Sequence, residues 1–335
     1  MKKIIIVCLM SLMFLTGCQV EKQQIAYTVY PIGYLLNRIG GDIIDAVSIQ
    51  EDEIIQRAQL KEDAYEILEA SSMLMHIGDL EPYLDVNLSA ISQIEGLELF
   101  DLSVLNAIYP FKRYTRIIID GKETFIEGSY YSSDLFDDVD ITDRDLYLWT
   151  DPIGMISMAK DIESALSSDY IEMSSVFSAN LKSLETDLIN LDAQYQALSN
   201  YCLKNNQTIK FVSMSASFGN WQKTYGFQVY PVVLSKYGAL PTLDQLEVIM
   251  KKIVDDGVQY IAYEPNMTDD MITLFNYLET TLNLTRVNLS NLSSLTETQM
   301  SENKDYLSIM YENLAVLENM AQDNIVVEPT EEITE

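Results

Sequence analysis

Short apolar runs alternate with longer amphipathic segments along most of the chain. The short runs have the length of buried β-strands, and the segments between them repeat apolar side chains at helical spacing. This alternation predicts parallel sheets whose strands are connected by crossover helices. The predicted strands are 24–29, 46–49, 73–77 and 97–102 in the first half and 210–214, 228–230, 260–263 and 285–289 in the second. The predicted helices are 31–39, 62–70, 82–94, 242–254, 271–282 and 304–321.

A long segment between the two halves, residues 169–204, contains neither Gly nor Pro. Its apolar side chains recur at alternating steps of four and three residues, which predicts one continuous helix with a single apolar seam. Such a helix spans about 54 Å at 1.5 Å per residue. A coiled-coil dimer would use the same seam, but two flanking α/β lobes can bury it within one chain, and we favour that arrangement. The seam consists of Phe177, Leu181, Leu184, Leu188, Leu191, Tyr195, Leu198 and Cys202.

The first residues have the order of a secretory signal. Lys2 and Lys3 precede an apolar run that ends at Leu15, which is too short to cross a membrane because a spanning helix needs roughly 20 residues. The sequence LTGC at 15–18 follows, and it resembles the lipobox of bacterial lipoproteins. This resemblance implies a signal peptide at 1–17 and a lipid on Cys18 that anchors the protein at the extracytoplasmic face of the membrane. An ordinary cleaved signal with an incidental cysteine is the alternative.

The charge is strongly negative, with 21 Lys and Arg against 51 Asp and Glu and a net charge of −30. Nucleic-acid binding is excluded as a function class, because it requires clustered basic residues. The negative net charge favours a cation over an anion as binding partner. Cys8 belongs to the signal and Cys18 to the anchor, so Cys202 remains alone and no intramolecular disulfide is expected.

Motifs of enzymes are missing from the sequence. There is no Gly-rich phosphate loop and no Gly-x-Ser-x-Gly elbow, and His76 is the only histidine. Most catalytic triads and general-base pairs require a histidine. No feature singles out a pair of carboxylates for hydrolysis. We therefore do not expect an enzyme.

Several short motifs follow one another in a fixed order over nearly all of the mature chain. They are YTVYP at 27–31, IGGD at 39–42, LEPYLD at 80–85, LWTDP at 148–152, FVS at 211–213, AYEP at 262–265 and DYLSIMYENL at 305–314. In this order they resemble the substrate-binding lipoproteins of zinc and manganese ABC importers. The resemblance implies an α/β fold with two parallel-sheet lobes joined by one rigid long helix, like other bilobed periplasmic binding proteins. It also implies an ABC permease as partner and zinc or manganese as ligand.

We expect five regions along the chain. They are a signal peptide at 1–17, an N-terminal α/β lobe at 18–168, a linking helix at 169–204, a C-terminal α/β lobe at 205–324 and an acidic tail at 325–335.

The family binds its metal between the lobes with histidines and carboxylates, one from each of four loops. Transferred to this chain, the four positions fall on Gln56 (or the adjacent Ile55), Tyr147, Ser215 and Asn288. None of these is a His, Asp or Glu, so tight zinc binding is not expected. Glu264, at the end of a predicted strand, is a possible cleft carboxylate or a structural acceptor of backbone N–H groups.

Other candidate features have simpler interpretations. We interpret His76 as a structural residue, because a lone histidine is weak evidence of a ligand. Trp149 and Trp221 could line a cleft for an organic ligand, but packing in the core is the simpler interpretation. A run of acidic residues suits a solvated loop better than a calcium site; it comprises Asp134, Asp137, Asp138, Asp140, Asp143 and Asp145. The alternative function is a degenerate relative that binds another ligand, or a surface adhesin or sensor that does not transport metal.

Overall fold

The computed structural model describes residues 22–51, 54–104 and 106–323. The predicted signal peptide at 1–17, Cys18 and the acidic tail at 325–335 lie outside these residues. None of the helices in the described part of the chain is both long enough and apolar enough to span a membrane.

The first sheet contains four parallel strands in the order β2-β1-β3-β4. The central strands are buried on both faces, as expected of a parallel sheet covered by helices. The strands are β1 (Gln23–Tyr27), β2 (Ile44–Ser48), β3 (Met73–His76) and β4 (Glu98–Asp101), and the helices between them are α1 (Tyr30–Gly40), α2 (Ala64–Ala70) and α3 (Pro82–Ile91).

A β-hairpin follows the first sheet, with antiparallel strands β5 (Arg113–Ile119) and β6 (Lys122–Gly128). Asp120 and Gly121 form its two-residue turn with φ values of 51° and 74°, the left-handed conformation that such tight hairpins require. The hairpin packs against the second half of the chain, where Gln228 Nε2 donates a 2.8 Å hydrogen bond to the Tyr114 carbonyl. The sequence analysis did not predict this hairpin.

Two helices connect the halves, α4 (Pro152–Asp169) and α5 (Ser174–Lys204). The long helix α5 begins five residues later than predicted, because Ile171–Met173 form a short 3₁₀ turn between the helices. Seven of the eight seam residues are buried, with Leu184, Leu188 and Leu191 all at 0% exposure, and Leu181 is half-buried. The helix is tied to the first half by a 2.7 Å ion pair between Asp187 and Arg38.

The second sheet repeats the plan of the first, with four parallel strands in the order β10-β9-β7-β8. Its strands are β7 (Lys210–Ser215), β8 (Gln228–Val233), β9 (Tyr260–Tyr263) and β10 (Thr285–Asn288), and its helices are α6 (Asn220–Tyr225), α7 (Leu243–Asp255), α8 (Asp269–Thr281), α9 (Glu297–Ser301) and α10 (Tyr306–Asp323).

One apolar core runs from the first sheet across α5 to the last helix. It joins Leu35 on α1, Leu188 on α5 and Leu317 on α10, which are all fully buried. The Tyr195 hydroxyl on α5 donates to the Met310 carbonyl on α10 at 2.8 Å. The prediction of two parallel-sheet lobes joined by one long helix is therefore confirmed.

Candidate functional site

The carboxyl ends of both sheets face the region between the two halves. In open α/β sheets, ligands bind at this end of the strands, where the loops diverge. Thr28 follows β1, whereas Ser215 and Glu264 lie at or just after the ends of β7 and β9. The halves are connected here by a 3.1 Å hydrogen bond from the Tyr30 amide to the Ser293 carbonyl.

Gln56 and Tyr147, two of the four positions expected from the sequence, are in direct contact. Gln56 Nε2 donates a 2.8 Å hydrogen bond to the Tyr147 hydroxyl. Gln56 lies on a 3₁₀ turn, and Tyr147 directly precedes another. The adjacent Ile55 is a core residue at 1% exposure, so Gln56 is the residue of that pair whose side chain reaches the site.

A cavity of about 30 Å³ lies beside this pair, between the two halves of the chain. Gln56, Tyr147 and Asp145 line it from the first half, and Ser235 and Lys236 line it from the second. Its volume is enough for one water molecule. Gln56 Oε1 is buried and has no hydrogen-bond partner among the described residues.

Tyr147 is held in its neutral form. Burial raises the pKa of its phenol above the usual range, and the charges of Glu264, Asp145 and Glu81 raise it further, whereas the Gln56 hydrogen bond lowers it. A phenol binds a metal well only as a phenolate. Tyr147 is therefore a poor metal ligand at neutral pH.

Glu264 accepts hydrogen bonds from two loops at once. Its Oε1 accepts from the backbone amides of Met214 and Ser215 at 2.7 and 2.9 Å. Its Oε2 accepts from Ser217 Oγ at 3.3 Å and Asn291 Nδ2 at 3.0 Å, and also from Ser215 Oγ. Burial raises the pKa of this carboxyl, and these hydrogen bonds oppose the rise. A carboxylate with five donors has little capacity left for a metal.

Asn288, the fourth expected position, is exposed at the end of the edge strand β10. The amide that reaches the Glu264 cluster belongs instead to Asn291, whose carbonyl accepts a 2.7 Å hydrogen bond from Trp149 Nε1. Leu292, directly after Asn291, adopts a left-handed φ of 60°. The polar run Ser290, Asn291, Ser293 and Ser294 directly after a strand was the available sequence signal for this loop.

Two further buried carboxyls lie near Tyr147, and the sequence analysis had not assigned them to the site. Burial raises the pKa of Glu81 to about 8 and that of Asp145 to about 7. Thr28 Oγ1 donates to Glu81 Oε1, while Glu81 Oε2 is buried without a hydrogen-bond partner in the described structure. Both carboxyls are close enough to influence the pKa of Tyr147.

The donors between the lobes do not fit a zinc shell. Zinc prefers imidazole, thiolate and carboxylate ligands. Throughout residues 22–51, 54–104 and 106–323, no group of three or more His, Cys, Asp and Glu side chains is placed to hold a metal ion. Gln56, Tyr147 and Ser215 contribute neutral groups, and the oxygens of Glu264 are already hydrogen-bonded.

The two tryptophans, His76 and the acidic run are accounted for by packing, hydrogen bonding or exposure to solvent. Trp149 and Trp221 are both fully buried, and each indole N–H donates to a backbone carbonyl. His76 closes β3 with Nδ1 3.3 Å from the Gly78 carbonyl, and burial lowers its pKa. Most of the acidic run is exposed on a loop; only Asp145 is buried.

The fold and site are those of a two-lobed solute-binding protein. The sequence profile of the zinc-uptake complex component A, periplasmic, matches residues 25–320. The chain belongs to this ZnuA family of substrate-binding proteins.

Individual relatives agree with the family assignment. The zinc-binding protein AdcA of Streptococcus pyogenes serotype M6 is 27% identical over 173 residues, covering 52% of this chain and 32% of the relative. The zinc-binding lipoprotein AdcA of Streptococcus pneumoniae strain R6 is 23% identical over 340 residues, covering 98% of this chain and 63% of the relative. This chain therefore spans less than two thirds of the length of either relative.

A solved structure shows the same fold. The periplasmic zinc binding protein TroA of Treponema pallidum superimposes with a TM-score of 0.70 at 12% identity, covering 90% of this chain and 99% of TroA. At this level of identity the similarity concerns the fold alone.

Proposed function

We propose that this chain is the extracytoplasmic substrate-binding component of an ABC importer and delivers its ligand to a permease in the membrane. The family match over residues 25–320 supports this role. The polar loops at the carboxyl ends of both sheets, with a cavity between them, provide the binding region. We infer a binding function without catalysis, because the matching family is one of substrate-binding proteins.

We further propose that the cleft does not retain Zn²⁺ or Mn²⁺ as tightly as a complete coordination shell would. The observation that carries this proposal is the hydrogen bond between Gln56 and Tyr147 at two of the positions where the family places metal ligands. Amide and phenol groups are poorer zinc ligands than imidazole. The negative net charge of the chain attracts cations, but this attraction is screened over ~8 Å at physiological salt.

The test is the zinc and manganese content per chain after dialysis against a mild chelator. We expect less than a stoichiometric amount of either metal. The variant Glu264→Ala should release nothing further, because Glu264 serves the surrounding donors. One retained equivalent of either metal in the parent protein would contradict this proposal and would favour ordinary metal import as the function.

A second candidate function follows from the same replaced positions. A relative that has lost its metal ligands is able to bind another ligand, or to act as a surface adhesin or sensor without transport. Genes for a permease and an ATPase beside this gene would favour import. Purified protein that fails to bind to membranes containing that permease would favour the second function.

The anchor is part of the proposal. We propose that Cys18 carries the lipid and holds the protein on the outer face of the cell membrane. The relative from Streptococcus pneumoniae is named a lipoprotein, and the LTGC sequence at 15–18 supplies the cysteine.

A further inference from the structure

A second cavity, of about 680 Å³, lies at the other end of the second sheet from the cleft. Lys210, the first residue of β7, lines it, whereas Ser215 at the last position of the same strand belongs to the cleft. Five steps along a strand separate the two residues by about 17 Å. The volume lies within the roughly 300–1,000 Å³ range of small-molecule pockets.

Both halves of the chain contribute basic side chains to this cavity. Arg113 and Arg116 come from β5 of the hairpin, whereas Lys210 and Lys252 come from β7 and α7. Asp256 is the acidic residue in the lining. Four positive groups and one acidic group form an unusual lining in a chain whose net charge is −30.

Asp256 alone does not neutralise the four basic groups of the lining. Although burial raises its pKa, hydrogen bonds from Tyr230 and Lys252 hold the pKa of Asp256 below the usual range, so it carries one negative charge. Arg116 has an additional acidic neighbour, Glu123, at 3.6 Å. Even with Glu123 included, the basic groups exceed the acidic groups by two.

The basic groups also retain hydrogen-bond donors. Lys210 Nζ donates to the Asp256 carbonyl at 2.8 Å, and Lys252 Nζ lies 3.0 Å from Asp256 Oδ1. Since an ammonium has three N–H groups, each lysine has donors left. The Arg113 guanidinium lies 4.2 Å from the Tyr230 ring centroid, and its Nη2 lies 3.4 Å from Asp256 Oδ2. Fixed cations with spare donors favour oxyanions.

We propose that this basic cavity binds a small oxyanion with two or more negative charges, such as a phosphate ester or a polycarboxylate. Two negative charges match the excess of basic groups in and beside the lining. Because the cations come from the hairpin and from the second sheet, the bound anion bridges the two parts of the chain. Binding therefore raises the stability of the folded protein.

The experiment measures binding of pyrophosphate and citrate to the purified protein by calorimetry and thermal unfolding. The protein is first freed of metal by a chelator that is then removed, because both anions also bind metal ions. Sodium chloride at equal ionic strength controls for screening. We expect saturable binding and a rise in melting temperature with either anion but not with chloride.

Three variants locate the site. Lys210→Gln combined with Lys252→Gln should weaken binding about tenfold or more, since two charge-assisted contacts are lost. Lys251→Gln is the matched control. Lys251 directly precedes Lys252 on α7, pairs with Asp255 and does not line the cavity. Thr208→Glu places a negative charge at an exposed lining position without removing any hydrogen bond of the described structure, and it should abolish binding.

Two results would overturn the proposal. One is the absence of saturable binding by both anions. The other is equal affinity of the parent protein and Thr208→Glu, which remains decisive if the double lysine variant does not fold. Neither result affects the proposed import function, whose test concerns the cleft.

Discussion

Asn291 and Glu264 hold two loops of the second lobe together, with Asn291 Nδ2 donating to Glu264 Oε2 at 3.0 Å. Asn291 comes from the loop after β10, and Glu264 directly follows β9. The same carboxylate accepts a hydrogen bond from the backbone amide of Ser215, the last residue of β7. One buried carboxylate therefore fixes the ends of three neighbouring strands at the edge of the cleft.

The first prediction concerns this carboxylate. Glu264→Gln keeps the shape of the side chain but replaces one acceptor oxygen by an amide that faces donors. We expect a loss of about 2–4 kcal/mol in the free energy of unfolding, because buried donors lose their acceptor. Urea unfolding measures the loss.

Glu247→Gln is the control for this change, because Glu247 is exposed on α7. It should change stability by less than about 0.5 kcal/mol. Equal stabilities of the two variants would contradict a structural role for Glu264.

The second prediction concerns the pH dependence of stability. Burial raises the pKa of the Glu81 carboxyl from its ordinary value of 4.5 to about 8, so the folded state binds more protons than the unfolded state between these values. The contribution of Glu81 to the free energy of unfolding is therefore fully present below its unfolded pKa. This contribution is lost as pH rises through about 8, by up to about 1.4 kcal/mol per pH unit.

Glu81→Gln removes the titrating group and should flatten this slope. Urea unfolding of the parent and the variant at pH 5, 7 and 8.5 measures it. The parent also carries many exposed acids that repel one another at high pH, so the difference between the two slopes is the relevant quantity. Parallel slopes would exclude Glu81 as the source.

The third prediction concerns the seam of α5. Leu188 is fully buried, and Leu188→Asp places a charge among apolar side chains at a cost of about 3–5 kcal/mol. Asn190→Ala is the control, because Asn190 is exposed on the same helix. Differential scanning calorimetry should show a much lower melting temperature for the first variant alone. Asp187 is unsuitable as a control because it pairs with Arg38.

The fourth prediction concerns the anchor. The lipid requires the thiol of Cys18, so Cys18→Ser should abolish incorporation of a labelled fatty acid and leave a precursor or a released protein. Cys202→Ser, at a buried position on α5, should label like the parent. Incorporation that persists in Cys18→Ser would refute the anchor.

The eight parallel strands were predictable from the sequence to within a few residues. A strand buried on both faces is a continuous apolar run, as in β3, and this signal is local. The hairpin of β5 and β6 lacks such a signal, because β6 is exposed along nearly its whole length. It forms through pairing with β5 and through the packing of Tyr114 against the second half, which no local pattern reveals.

The two sheets, the long helix with its seam and the presence of a single histidine could be read from the sequence alone. Which polar groups come into contact depends on the tertiary fold. Gln56 reaches Tyr147, and Asn291, in the loop after the exposed end of β10, reaches Glu264 where Asn288 does not. Such contacts join residues far apart in sequence, so they depend on how the packed elements place each loop and leave no periodic signal in the chain.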